Sequence, residues 1–281
     1  MINMIEINDR EFKKISEIVY DRFGINLTEK KKALVRGRLN KLILSLDFTT
    51  FSEYYDYVTE DKSGQRLLNM VDKISTNHSY FFRESDHFDY LSESVLPAIC
   101  KKAESGPDKK IRIWCAGCAN GQEAYTLAIV LKEFFGDTYN QWKPAILATD
   151  ISISALETAV AGAYTDEGIS GIPANLQKKY FTTDKNGLFT AKKDLKDMIL
   201  FKRLNFMNQT FPFKNKFDVV FCRNVMIYFD NQTKETLVNK FFNYMKNESW
   251  LFIGHSETLG RSNTNFRYIK PSTYIRVGAR V

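Results

Sequence analysis

Residues 111–126 read IRIWCAGCANGQEAYT, and this stretch decides the fold. Ile111, Ile113 and Trp114 form an apolar run that predicts a buried strand. The run breaks into a turn of small residues, 116–121, and an amphipathic helix follows from about Gln122. A strand, a glycine turn and a helix set backbone N–H groups and a helix N-terminus at the carboxyl edge of a sheet, where open α/β folds bind ligands. A second strand, AILATD, ends about thirty residues later in Asp150. In nucleotide-binding α/β folds an acid at that place accepts from two ribose hydroxyls. The turn is neither G-x-G-x-x-G nor a phosphate-cradling G-K-[ST] loop, so the segment alone also admits plain strand–helix packing, as the lesser reading.

Strand–helix alternation continues outward from this stretch. Strands are expected at 111–115, 146–149, 198–203, 218–222 and 250–254, and a hairpin at 266–269 and 274–277 turns around Lys270-Pro271-Ser272. Residues 162–197 interrupt the alternation with Pro173 and Asn186-Gly187, which predict a small β insertion carrying a hairpin. Residues 1–75 lack the alternation and read as a separate helical domain. Asp9 is the expected cap of its first helix, with Phe12, Ile15, Ile18 and Val19 inward and Gly24 at its end. Thr28 is the expected cap of a second helix, with Val35, Leu39, Leu42 and Leu46 inward, and Thr50 opens a third. Residues 76–110 then form a linker and connecting helix, with a loop at 105–108, and residues 111–281 form the α/β domain. Five mostly parallel strands followed by an antiparallel hairpin are the layout of class I methyltransferases that use S-adenosylmethionine.

Composition narrows the function. The net charge is +7 over 281 residues, which favours an acidic partner. Residues 28–46 hold six basic residues against one acid, and on a helix Lys30, Lys31, Arg38 and Lys41 share one sector, a docking face or simply a solvated one. Four scattered cysteines are too few for a disulfide framework, and Cys115 and Cys118 straddle the turn as small packing residues. No apolar run approaches the ~18 residues of a membrane span, and the N-terminus has no signal-peptide core, so a cytoplasmic protein is expected.

Five segments, STNHSYFFRE (75–84), AGCANGQEAYTLA (116–128), ATDIS (148–152), FDVVFCRNVMIYFD (217–230) and FIGHSE (252–257), resemble in this order the CheR family of chemotaxis receptor methyltransferases. The resemblance runs over nearly the whole chain. It implies a class I, Rossmann-like fold with a mostly parallel sheet, a C-terminal antiparallel hairpin, an N-terminal helical domain and a small β-subdomain. It implies methyl transfer from S-adenosylmethionine to glutamates on the cytoplasmic helices of chemoreceptors, leaving S-adenosylhomocysteine. No metal, nucleic acid or membrane insertion is implied. By motif, Asn77, Ser79 and Arg83 line the cofactor pocket, Glu123 holds its amino end and Asp150 its ribose. Asn205 and Phe206 flank the adenine, Arg223 and Asn224 close the site, and Tyr228 lies near the methyl. Arg223 or Tyr228 orients the acceptor carboxylate, and the basic helix docks on the receptor. The chain departs from the family pattern at Ala119, Asn120 and Ala124, where backbone groups carry the contact. Its insertion loop, 182–187, is short with one glycine, so no tether to a receptor C-terminal peptide is expected.

Three other readings are weaker. A nucleic-acid base methyltransferase lacks its Asn/Asp-Pro-Pro-aromatic turn here, where Cys222-Arg-Asn-Val stands instead. A non-catalytic cofactor sensor or scaffold is disfavoured by the intact polar set, and a dehydrogenase by the absent dinucleotide fingerprint.

Overall fold

The computed structural model describes residues 4–104, 109–260 and 265–278. The loop expected at 105–108 lies outside them. The chain divides into two compact units: Met1–Thr76 with Asn205–Asn208 and Tyr228–Thr233, and the remainder.

The first unit is helical. α1 (Asp9–Phe23) starts from Asn8, not from the expected Asp9. Asn8 and Glu11 form a reciprocal capping box, each side chain accepting the other's backbone N–H at 2.9 Å. Gly24, at φ +70°, ends the helix. Phe12, Ile15, Val19 and Phe23 are its buried face, and Ile18 sits only half-buried. The second helix also differs from expectation. Thr28 makes no side-chain cap; a 3-10 turn, Glu29–Lys31, comes first, and α2 (Lys32–Ser45) follows. Val35, Leu39, Asn40 and Ile43 are buried, while Leu42 and Leu46 stay at the margin, so the inward stripe is centred slightly off the expected one. The 3-10 turn takes Lys30 and Lys31 off the helix that carries Arg38 and Lys41. α3 (Phe51–Thr59) begins at Thr50 with a second capping box, and α4 (Gln65–Ile74) follows Gly64.

The second unit holds α5 (Asp86–Tyr90) and α6 (Leu96–Glu104), joined by a π turn at Leu91–Val95 just before Pro97. Its strands are β1 (Arg112–Ala116), β2 (Ala145–Asp150), β3 (Ala163–Tyr164), β4 (Phe181–Thr183), β5 (Phe189–Ala191), β6 (Ile199–Arg203), β7 (Phe217–Cys222), β8 (Met245–Ile253), β9 (Phe266–Lys270) and β10 (Thr273–Arg276). Seven make one sheet in the order β6-β2-β1-β7-β8-β10-β9. The first five are parallel, and β10 runs antiparallel to both its neighbours. The sheet is that of a class I methyltransferase. Every residue of β7 is buried, as a central parallel strand covered on both faces requires. The order reverses between β1 and β7, so the carboxyl ends of β1, β2 and β7 open on one crevice. α7 (Gln122–Phe135) leaves the turn after β1. The insertion is a three-stranded antiparallel sheet, β3-β5-β4, with short helices that its sequence does not announce.

Candidate active site

The turn after β1 is fastened to the end of β2. Gly117 and Cys118 both donate their N–H to Thr149 O, at 2.7 and 3.0 Å. Gly117 has φ +89°, and a Cβ there would run into Val225 Cγ2. Ala119 is held left-handed at φ +45°, a strained position for an L side chain, while its N–H donates to Asp150 Oδ2 at 2.8 Å. Asp150 Oδ1 accepts from Ser152 N at 2.9 Å. These backbone bonds orient the Asp150 carboxylate at the end of β2.

A second wall comes from residues 77–84. Asn77 Nδ2 donates to Ser152 Oγ at 3.0 Å, and Asn120 Nδ2 donates to Asn77 O at 3.2 Å. Ser79 is half-buried in the same segment. Arg83 lies over the Tyr80 ring, 5.6 Å from its centroid, and donates to His78 O. Phe82 and Glu84 are both left-handed, at φ +56° and +54°, and Asn224 after β7 is a third at +58°. Backbone strain concentrated this way marks a place where surrounding structure over-determines the chain.

Arg223 joins the walls. Its side chain is 1% exposed, and Nη1 donates to Glu123 Oε2 at 2.9 Å. Nη2 donates to Glu84 Oε2 at 3.0 Å and to the Arg83 carbonyl. Phe88 lies under the guanidinium. Glu123, in the first turn of α7, also accepts from the Cys115 thiol. Burial pushes the Glu123 carboxyl up, and Arg223 offsets only part of that. Burial also raises Glu84, but Arg223, Asn224 and His255 together outweigh it and leave that carboxyl below its usual value. Asn224 Nδ2 donates to Glu84 Oε1 at 3.2 Å. Glu257 accepts N–H groups of Gly254, Asn224 and Ile227, at 2.6, 3.0 and 3.2 Å, and so shapes the loops after β7 and β8.

Asn77, Ser79, Arg83, Glu123, Asp150, Arg223 and Asn224 therefore belong to one unit, at the strand ends and their facing segment. Asn205, Phe206 and Tyr228 cluster with the helical unit. Asn205 Nδ2 donates to Arg22 O at 2.8 Å, and Phe206 is buried. Tyr228 O accepts from Asn26 N at 2.8 Å, and Lys31 Nζ stands 5.3 Å from its ring centroid. Of the basic residues, Lys30 and Lys41 are exposed and Arg38 is tied to the Ile74 carbonyl.

Residues 77–275 match the family described as CheR methyltransferase, SAM binding domain, and residues 10–75 match its all-alpha domain. The chain belongs to the CheR methyltransferase family. It is 47% identical over 270 residues to a chemotaxis protein methyltransferase of Borreliella burgdorferi, covering 96% of this chain and 95% of that one. It is 30% identical to the chemotaxis protein methyltransferase of Escherichia coli over 95% of this chain and 90% of that one. The chain is thus an S-adenosylmethionine-dependent methyltransferase. In this CheR enzyme the donor set suits that molecule. A largely enclosed acid at a helix start suits an ammonium group, and an oriented acid ending β2 suits a ribose. The turn is too tight at Gly117 for any side chain.

Sequence reasoning missed Glu84 and Glu257, which hold Arg223 and the loops after β7 and β8, and it missed the buried His87 beside Glu84. Glu84 and Glu257 stand inside quoted motifs, and an acid beside a strand end among small residues is the signal that could have found them. His87, completely buried, has no such signal.

Proposed function

We propose that this CheR enzyme methylates glutamate side chains on the cytoplasmic helices of chemoreceptors, leaving S-adenosylhomocysteine. The observation that carries the reading is the Glu123–Arg223–Glu84 chain, built on a buried arginine, beside the oriented Asp150. Glu123 takes the cofactor's amino group, Arg83 its carboxylate, Asp150 its ribose hydroxyls, and Asn77 and Ser79 line the pocket. Asn205 and Phe206 bound the adenine. The cofactor supplies a methyl on a cationic sulfur, already a good leaving group. The acceptor carboxylate is ionised at neutral pH, so the protein's task is alignment and exclusion of water. Neither a strong base nor a metal is required by that chemistry. Burial and two ion-pair partners suit Arg223 to holding Glu123 in place, and Tyr228, by its place in the family motif, is the group beside the methyl and the acceptor.

The test is methylation of purified receptor with methyl-labelled S-adenosylmethionine, followed by mild base. A glutamate ester releases its label as methanol; base-stable label, or label on nucleic acid instead, would overturn the reading. Tether independence belongs to the same proposal. The loop between β4 and β5 is closed by Asp184 N–H to Leu188 O at 3.0 Å, with Asp184 Oδ1 accepting from Asn186 and Leu188. Receptor lacking its C-terminal peptide is expected to be methylated as fast as intact receptor, and a large loss would sink this part alone.

A further inference from the structure

Glu84, His87 and His255 bring one carboxylate and two imidazoles together, and the methyl-transfer reading uses neither imidazole. Their nearest ligand atoms all lie within 4.8 Å of one another. His87 Nδ1 is 3.6 Å from Glu84 Oε2, and His255 Nε2 is 4.0 Å from the same oxygen. The two rings meet edge to face, centroids 4.8 Å apart. His87 is completely buried and neither ring nitrogen makes a hydrogen bond. A neutral imidazole must keep one N–H, so this arrangement leaves a buried polar group without a partner.

We propose that Glu84, His87 and His255 form a site for a borderline divalent cation, Zn2+ foremost. Two imidazole nitrogens and a carboxylate oxygen are a three-ligand zinc set, with a fourth position for water or Asp86. Asp86 Oδ1 already lies 3.1 Å from His255 Nε2. Donors around a tetrahedral zinc stand about 3.3 Å apart, so the cluster must contract. The half-exposed His255 side chain, on the loop after β8, can move to do so, and it gives the ion a path from solvent. Arg223 opposes a cation here, and Glu84 and Asp86 together outweigh its single charge.

The full chain, stripped with chelator, would be titrated calorimetrically with zinc chloride and, separately, with Co2+ followed by visible absorption. One equivalent should bind, with four-coordinate Co2+ bands and no thiolate charge-transfer band. His255→Ala should weaken binding roughly tenfold or more. His255 is the residue to change because removing the buried His87 would leave a cavity. His255→Gln, with thermal melting of both variants, guards against a folding artefact. Failure of the wild-type chain to bind one equivalent, unchanged affinity in both folded variants, or a thiolate band pointing to the cysteines would each overturn the site.

Discussion

Two single residues, Gly117 and Glu123, fix the shape and the charge of the site. Gly117 needs its left-handed backbone, and the space a Cβ would fill belongs to Val225. Gly117→Ala combines a backbone cost of about 1–2 kcal/mol with overpacking of about 1–3 kcal/mol. Denaturant melts should show a loss in that range, and adding Val225→Ala should recover only the packing part. Full recovery would mean that the turn bears no backbone strain. Glu123 gives a pH dependence. Its free-enzyme carboxyl is raised by burial, and a bound ammonium favours the ionised form. Affinity for S-adenosylhomocysteine should therefore be weak at acid pH, rise as Glu123 ionises, and level off above that range. Calorimetry across pH should show protons released on binding within the rising limb, and Glu123→Gln should flatten the limb. Glu123, Asp150 and Arg223 were legible because each ends a strand or starts a helix, where an apolar run stops at a polar residue. Their partners were not, since Glu84 and Arg223 are 139 positions apart and only the folded sheet brings them together.

At the scale of elements, the parallel strands were legible for the same reason: β1, β2 and β7 are buried runs bounded by turn residues. β8 begins five residues before its expected start, because its first half pairs through an irregular register opposite Phe217 and Val219. The start of α2 was misread because Thr28 is a good cap by type, yet its hydroxyl makes no cap bond and a 3-10 turn precedes the helix. Least legible were the segments 205–208 and 228–233, which lie among strands in sequence and cluster with the helical unit in space. Ile25 bridges Phe229, and the Tyr20 hydroxyl donates to Asp230 Oδ2 at 2.6 Å. These bonds hold the loop that begins with Tyr228. Tyr20→Phe should therefore lower kcat for receptor methylation while leaving affinity for S-adenosylhomocysteine unchanged. An unchanged kcat would mean that the loop needs no help from α1, or that Tyr228 has no role at the methyl.

Across the whole molecule, part of the basic run behind the net charge of +7 is already paired with acids. Lys32 and Arg36 pair with Asp9 and Glu6, so part of the basic run around α2 is spent inside the helical unit. Exposed pairs of this kind contribute about 0–1 kcal/mol each, but they remove charge from any docking face. Arg38 is tied to the end of α4 through the Ile74 carbonyl, and reversing its charge would confuse docking with folding. Lys31 is desolvated, which lowers its pKa, and it faces Tyr228. Lys30 and Lys41 remain exposed and are the clean probes of a docking surface. If acidic receptor helices dock there, Lys30→Glu with Lys41→Glu should raise KM for receptor and weaken its dependence on salt, because the steering field between the partners is reduced. Affinity for S-adenosylhomocysteine should not move, since neither residue belongs to the proposed cofactor pocket. A receptor KM that keeps both its value and its salt dependence would make this face a solvated one and send the search for the docking surface elsewhere on the molecule.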